Sequence, residues 1–173
     1  TPRQADRSLV RQVLVGLGVD EALLNPFLAP DDLVRTGSPT DAVVLTNPMA
    51  AEESVLRTSL RPGLLGVIAH NASHRNPGVR VFELGKVFLS SSEAVLPAEP
   101  EQLAVALAGA DAREAVSVLF ALADALAVEG VAIDQREIDG LHPTRSGSVV
   151  VDGAVIGVVG EIDPGVLAGY EIA

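Results

Sequence analysis

The chain has no cysteine and no tryptophan, and its aromatic content, four Phe and one Tyr, is 3%. The missing thiols exclude disulfides and thiolate metal sites. The shortage of rings leaves Ala, Val and Leu to fill the core. Positive charge is scarce too: 12 Lys and Arg face 23 Asp and Glu, for a net charge of −11, and Lys86 is the only lysine. A solvent face this acidic argues against binding of a phosphate backbone by this chain alone. Every apolar run is broken by Gly, Asp or Glu well before the ~18 residues of a membrane span, and nothing resembles a signal peptide. No membrane partner is expected, and a soluble, cytoplasmic protein is.

What is present suits a folded domain. The hydrophobic content is 48%, too high for disorder, and 173 residues fit one domain. A domain of this size hides about 70% of the surface of its unfolded chain. The chain opens on Thr1-Pro2 and closes on Glu171-Ile172-Ala173. Residues 1–173 therefore read as a single domain excised from a longer protein.

Leu9, Val10, Val13, Leu14 and Leu17 recur at i, i+3, i+4 spacing, with Arg7, Arg11 and Gln12 opposite, so residues 5–17 predict an amphipathic helix. Gly16 and Gly18 end it. Residues 21–28 predict a short strand closed by Pro30, and Asp31-Asp32 cap a brief helical turn ending near Gly37. Residues 43–45 predict a short buried strand, broken by Thr46-Asn47-Pro48. A helix is expected over 60–73, with Pro62 in the first turn, where a missing N–H costs little.

Residues 79–89 alternate and predict a strand; 90–101 are polar, with two prolines, and predict a loop. A strand at 103–107, the longest helix at 111–128 and a strand at 131–138 follow. Asp152-Gly153 between two valine-rich runs predicts a hairpin over 148–162. Asp163-Pro164 then opens a final short helix. Strands and helices do not alternate as βαβ units would, which predicts an α+β domain with a mainly antiparallel sheet flanked by helices.

Three stretches carry more than periodicity. The first runs from Asn47-Pro48 through Glu52, Glu53, Arg57 and Arg61 to Leu64-Leu65. The second is Val79-Arg80-Val81-Phe82-Glu83-Leu84-Gly85-Lys86-Val87-Phe88. The third is Leu141-His142-Pro143-Thr144-Arg145-Ser146-Gly147, followed by the hairpin and Gly160-Glu161-Ile162-Asp163-Pro164. In this order they resemble the β subunit of bacterial phenylalanine–tRNA ligase, in its domain built like a class II aminoacyl-tRNA synthetase catalytic module but lacking the chemistry. The resemblance covers about residues 7–167. It departs at 111–128, which is Ala-rich here, where family members usually carry an aromatic residue before the helix and a Lys-Gly pair within it.

The resemblance implies a scaffold within an α2β2 assembly. The α subunit activates phenylalanine with ATP and charges the tRNA, and this module pairs with the α subunit's catalytic module through helices near the start of each. Leu9, Val13 and Leu17 on the first helix are the expected subunit-facing residues. ATP, magnesium and editing sites are expected elsewhere in the full enzyme, and no catalytic, cofactor or metal residue is expected here. In catalytic modules an Arg following the Phe of the second motif binds the nucleotide phosphate; here that residue is Glu83, whose carboxylate would repel phosphate.

Arg57 and Arg61 lie four apart at an expected helix start, where each opposes the helix dipole and the other. They need carboxylates, and Glu52, Glu53 or a partner subunit are the expected sources. His70 and His74 share a helix face but lack the Glu of a zinc-protease motif, so surface or interface histidines are expected. His142 precedes a proline and has no second ligand at metal spacing. Gly157-Val158-Val159-Gly160 lacks the third glycine and the following helix of a phosphate loop. Two rival readings stand beside the scaffold: a stand-alone paralogue of synthetase fold that binds a nucleotide or small ligand, and an accessory protein with its own partner. The first would need an Arg at position 83 and a Gly-rich Arg motif near the end. An uncovered first helix also predicts self-association of the isolated domain.

Overall fold

The computed structural model describes residues 2–90 and 96–172. The elements are α1 (Pro2–Gly16), β1 (Asp20–Glu21), β2 (Phe27–Leu28), α2 (Pro30–Arg35), β3 (Val55–Leu56), α3 (Arg61–Ser73), β4 (Arg80–Lys86), β5 (Glu101–Leu107), α4 (Ala112–Ala125), β6 (Ala132–Gln135), β7 (Leu141–Val151), β8 (Ala154–Ile162) and α5 (Pro164–Gly169). They form sheets ordered β1-β4-β5, β2-β3 and β6-β7-β8, antiparallel throughout except that β1 runs parallel to β4.

The alternation along β4 and β5 builds a three-layer core. Successive strand residues point to opposite faces. Phe82 and Leu84 on β4, with Leu103, Val105 and Leu107 on β5, pack against Val10 and Leu14 of α1 and Leu122 of α4. The intervening Val81, Ala104, Ala106 and Ala108 pack against Leu64 and Ile68 of α3. Large side chains thus fill the space under two helices, while alanines line the face that α3 covers. Phe82 is fully buried, and truncating such a ring costs about 3–5 kcal/mol.

Several expectations are corrected. The strand over 21–28 is two separate two-residue strands, because the chain turns at Asn25-Pro26, where Asn25 Oδ1 accepts from the Phe27 N–H at 3.2 Å. The buried strand at 43–45 is a single bridge from Val44 to Val55, and Val44 is 70% exposed. The helix expected over 111–128 stops at Ala125, where Ala127 takes φ 54, so α1 with 15 residues exceeds α4 with 14. β7 begins at Leu141, drawing His142 and Pro143 into the hairpin, and the Asp152-Gly153 turn has both φ angles positive (50 and 79), as a tight hairpin requires. Residues 91–95 of the expected loop lie outside the described residues.

Candidate functional site

Glu83 faces the α3 side of β4, opposite Phe82, and both faces of this central strand are covered. Its carboxylate is therefore buried, with the side chain 3% exposed, and a buried carboxylate needs a cation. Arg57 supplies it. The chain runs from β3 through Arg57 and Thr58 to Leu60, all three buried, before α3 begins at Arg61. Arg57 Nη1 lies 2.8 Å from Glu83 Oε1, and its Nε donates to the Lys86 carbonyl at 2.8 Å. Nη1 also reaches the Leu24 carbonyl at 3.5 Å. Gly85 leaves room for the pair, since a Cβ there would meet the Arg57 guanidinium and Glu83 Oε1.

This arrangement corrects the expectation for Arg57. Its carboxylate is Glu83, neither Glu52 nor Glu53; Glu53 instead accepts from Asn25 Nδ2 at 3.3 Å. Arg57 lies ahead of the helix, not in its first turn, and a guanidinium 7% exposed within this chain leaves no surface for a subunit contact. The signal for the pairing was the alternation itself: in a strand covered on both sides, a Glu next to a core Phe must point into the opposite layer.

Arg61 goes elsewhere. Its Nη1 donates to the Thr36 carbonyl at 2.7 Å and the Asp139 carbonyl at 2.8 Å, fastening the start of α3 to the end of α2 and to the turn before β7. Burial lowers its pKa from the ordinary arginine value, and the nearby Asp139 charge partly opposes that. Gly37 and Gly140 meet here at positive φ, and a Cβ on Gly140 would strike the Thr36 carbonyl and the Arg61 guanidinium.

A family model described as the phenylalanyl tRNA synthetase beta chain CLM domain matches residues 1–173. The chain belongs to this family. The phenylalanine–tRNA ligase beta subunit of Geobacillus kaustophilus is 34% identical over 187 residues, covering 99% of this chain and 23% of that protein. The corresponding subunit of Staphylococcus aureus is 29% identical over 186 residues, again covering 99% and 23%. The chain thus spans about a quarter of the length of the curated relatives it matches. Among solved structures, a pyrrolysyl tRNA synthetase of Desulfitobacterium hafniense superposes with a TM-score of 0.77 at 14% identity, over 98% of this chain and 62% of that one. Giardia lamblia prolyl-tRNA synthetase, in complex with prolyl-adenylate, superposes at 0.74 and 12% identity, over 98% and 39%. At these identities the likeness shows the fold, that of class II synthetase catalytic domains.

Within this CLM-type domain the other residues singled out from sequence lie apart from Arg57 and Glu83. On α1, Val10 and Leu14 are core, Val13 packs at its margin, Leu9 is half-buried, and Leu17 is 41% exposed beside Val15 at 58%. His142 sits on β7, with its Nδ1 accepting from the Thr144 N–H at 3.3 Å. His70 lies on the last turn of α3 and His74 is its C-terminal cap, their ring centroids 4.4 Å apart. Gly157 and Gly160 are hairpin residues of β8. An open cleft of about 220 Å³ between α4 and the β6-β7-β8 sheet is lined by Val116, Ile133, Thr144 and Arg145 among others. Its charges are already matched: Glu161 accepts from Arg145 Nε and from the Ala112 N–H at 3.3 Å, at the start of α4. No group of three or more metal-ligating side chains occurs among the described residues, and none of their helices is long and apolar enough to cross a membrane.

Proposed function

We propose that this chain is a non-catalytic scaffold module of a phenylalanine–tRNA ligase β subunit. It pairs with the α subunit that activates phenylalanine with ATP and charges the tRNA. The observation that carries this reading is the Arg57–Glu83 pair. Where a nucleotide-binding module needs a cation free to meet phosphate, β4 presents a buried carboxylate, and the nearest guanidinium is engaged by it. Glu83 Oε2 is buried as well, so neither member of the pair is open to a phosphate. The residues present do not fit a nucleotide phosphate. Family membership supports the assignment to a ligase β subunit.

The α1 helix supports a docking role. Its inner residues, Val10 and Leu14, are held by the core, and the exposed Val15 and Leu17, with the half-buried Leu9, remain for the α subunit.

Two measurements test this together. The purified chain should catalyse no phenylalanine-dependent exchange of pyrophosphate into ATP. It should be retained by immobilised phenylalanine–tRNA ligase α subunit, and the double substitution Val15→Asp, Leu17→Asp should abolish retention while leaving the thermal midpoint within a few degrees. Robust exchange, or retention unaffected by the two aspartates, overturns the scaffold reading or its interface respectively.

A further inference from the structure

The last turn of α3 carries an arrangement that a scaffold does not call on. His70 and His74 are four residues apart on one exposed helix face, with rings 4.4 Å between centroids and tilted by 38°. His74 Nδ1 lies 2.8 Å from the His70 carbonyl oxygen. A carbonyl can only accept, so the proton of the neutral ring sits on Nδ1 and the Nε2 lone pair is free. Ser73 Oγ donates to the same carbonyl at 2.7 Å and lies 3.1 Å from His74 Nδ1, which fixes the ring from a second side. A backbone carbonyl holding one imidazole nitrogen so that the other faces outward is how metal-ligating histidines are oriented.

We propose that His70 and His74 form a surface site for a divalent transition-metal ion of the Zn²⁺ class, bound by two imidazole nitrogens and completed by water. Imidazole suits Zn²⁺, Ni²⁺ and Cu²⁺, whereas Mg²⁺ and Ca²⁺ prefer oxygen ligands, which this turn lacks on its side chains at positions 70 and 74. Two further features favour a cation here. The site is at the C-terminal end of a 13-residue helix, where the unsatisfied carbonyls form the negative pole. The chain as a whole carries a net charge of −11, which draws cations to its surface. The ion would tie the His74 cap to the last turn of α3, and that helix is anchored in the core by Leu64 and Ile68. Metal binding of this kind stabilises the folded state, because the unfolded chain does not hold the two rings together.

The test is titration of the untagged chain with Zn²⁺ alone at neutral pH, followed by calorimetry and by the thermal midpoint. One ion per chain should bind at this site and raise the midpoint. His70→Ala and His74→Ala should each weaken binding at least tenfold and abolish that rise. Mg²⁺ should leave the midpoint unchanged, and His142→Ala, on β7, should bind Zn²⁺ as the parent does. Both histidines are exposed, so the variants keep the fold, and amide NMR shifts induced by Zn²⁺ should centre on residues 70–76. Unchanged Zn²⁺ affinity in either variant, or shifts centred elsewhere, overturns the proposal.

Discussion

The buried pair between Arg57 and Glu83 gives the sharpest prediction. Both side chains are under 10% exposed, at 7% and 3%, so water screens them little and neither can be rehydrated in place. Removing one partner strands the other. For Arg57→Ala the loss combines the ion pair with the bond from Nε to the Lys86 carbonyl, and the expected cost is about 3–5 kcal/mol, the range for breaking a buried pair. Glu83→Gln keeps the shape and leaves Arg57 its carbonyl contacts, so the expected cost is smaller, about 1.5–3 kcal/mol, that of one charge-assisted bond. The double variant Arg57→Ala, Glu83→Gln leaves no unpaired charge and should cost clearly less than the two single substitutions added together.

Urea denaturation followed by circular dichroism measures all of these, with the slope against urea checked for constancy so that midpoint shifts read as stability. Raising the salt from 0.05 to 0.5 M should change the cost of Glu83→Gln little, because a buried pair is poorly screened. If Arg57→Ala costs under about 1 kcal/mol, as an exposed surface pair would, or if the two substitutions are additive, the pair is not the core anchor described above.

Gly140→Ala should destabilise by about 2–5 kcal/mol, since its φ of 78 disfavours any Cβ and the methyl would strike the Thr36 carbonyl and Arg61. Gly153→Ala, at φ 79 but in open space, should cost only the backbone term of about 1–2 kcal/mol, and similar losses at the two positions would refute the packing argument. Tyr170, beneath Arg35 and near Asp32, has its pKa pushed up from 10.0 to about 12, chiefly by burial and secondarily by Asp32, while Arg35 opposes. A folded-state value above the unfolded one means the native state holds the proton longer. The contribution is therefore whole below pH 10 and lost between about 10 and 12. Tyr170→Phe should flatten that alkaline fall in the thermal midpoint, and an unchanged slope would show that Tyr170 titrates normally.

The sequence by itself determined the local elements whose signals lie within a few residues. The heptad-like spacing of Leu9 to Leu17, Pro62 in the first turn of α3, the alternation of β4 and β5 and the Asp152-Gly153 turn each name their element, because backbone conformation and face are set by near neighbours. The order of the three motif stretches likewise pointed to the family that the whole chain matches. The sequence misjudged 21–28 and 43–45, where the apolar runs are too short for period or length to choose between strand and extended loop.

Tertiary structure alone decided which charges are spent. Glu83 follows a core Phe and looks from sequence like a mere departure from a phosphate-binding pattern. Arg57, 26 positions earlier, looks like a helix-start cation seeking a partner chain. Only the packing of α3 and the 57–60 segment over β4 turns both into one buried pair, and sends Arg61 instead to the carbonyls of Thr36 and Asp139. The reason is dielectric: whether an ion pair anchors a core or does nothing depends on the layer that excludes water from it, and that layer is assembled from residues far apart in the chain.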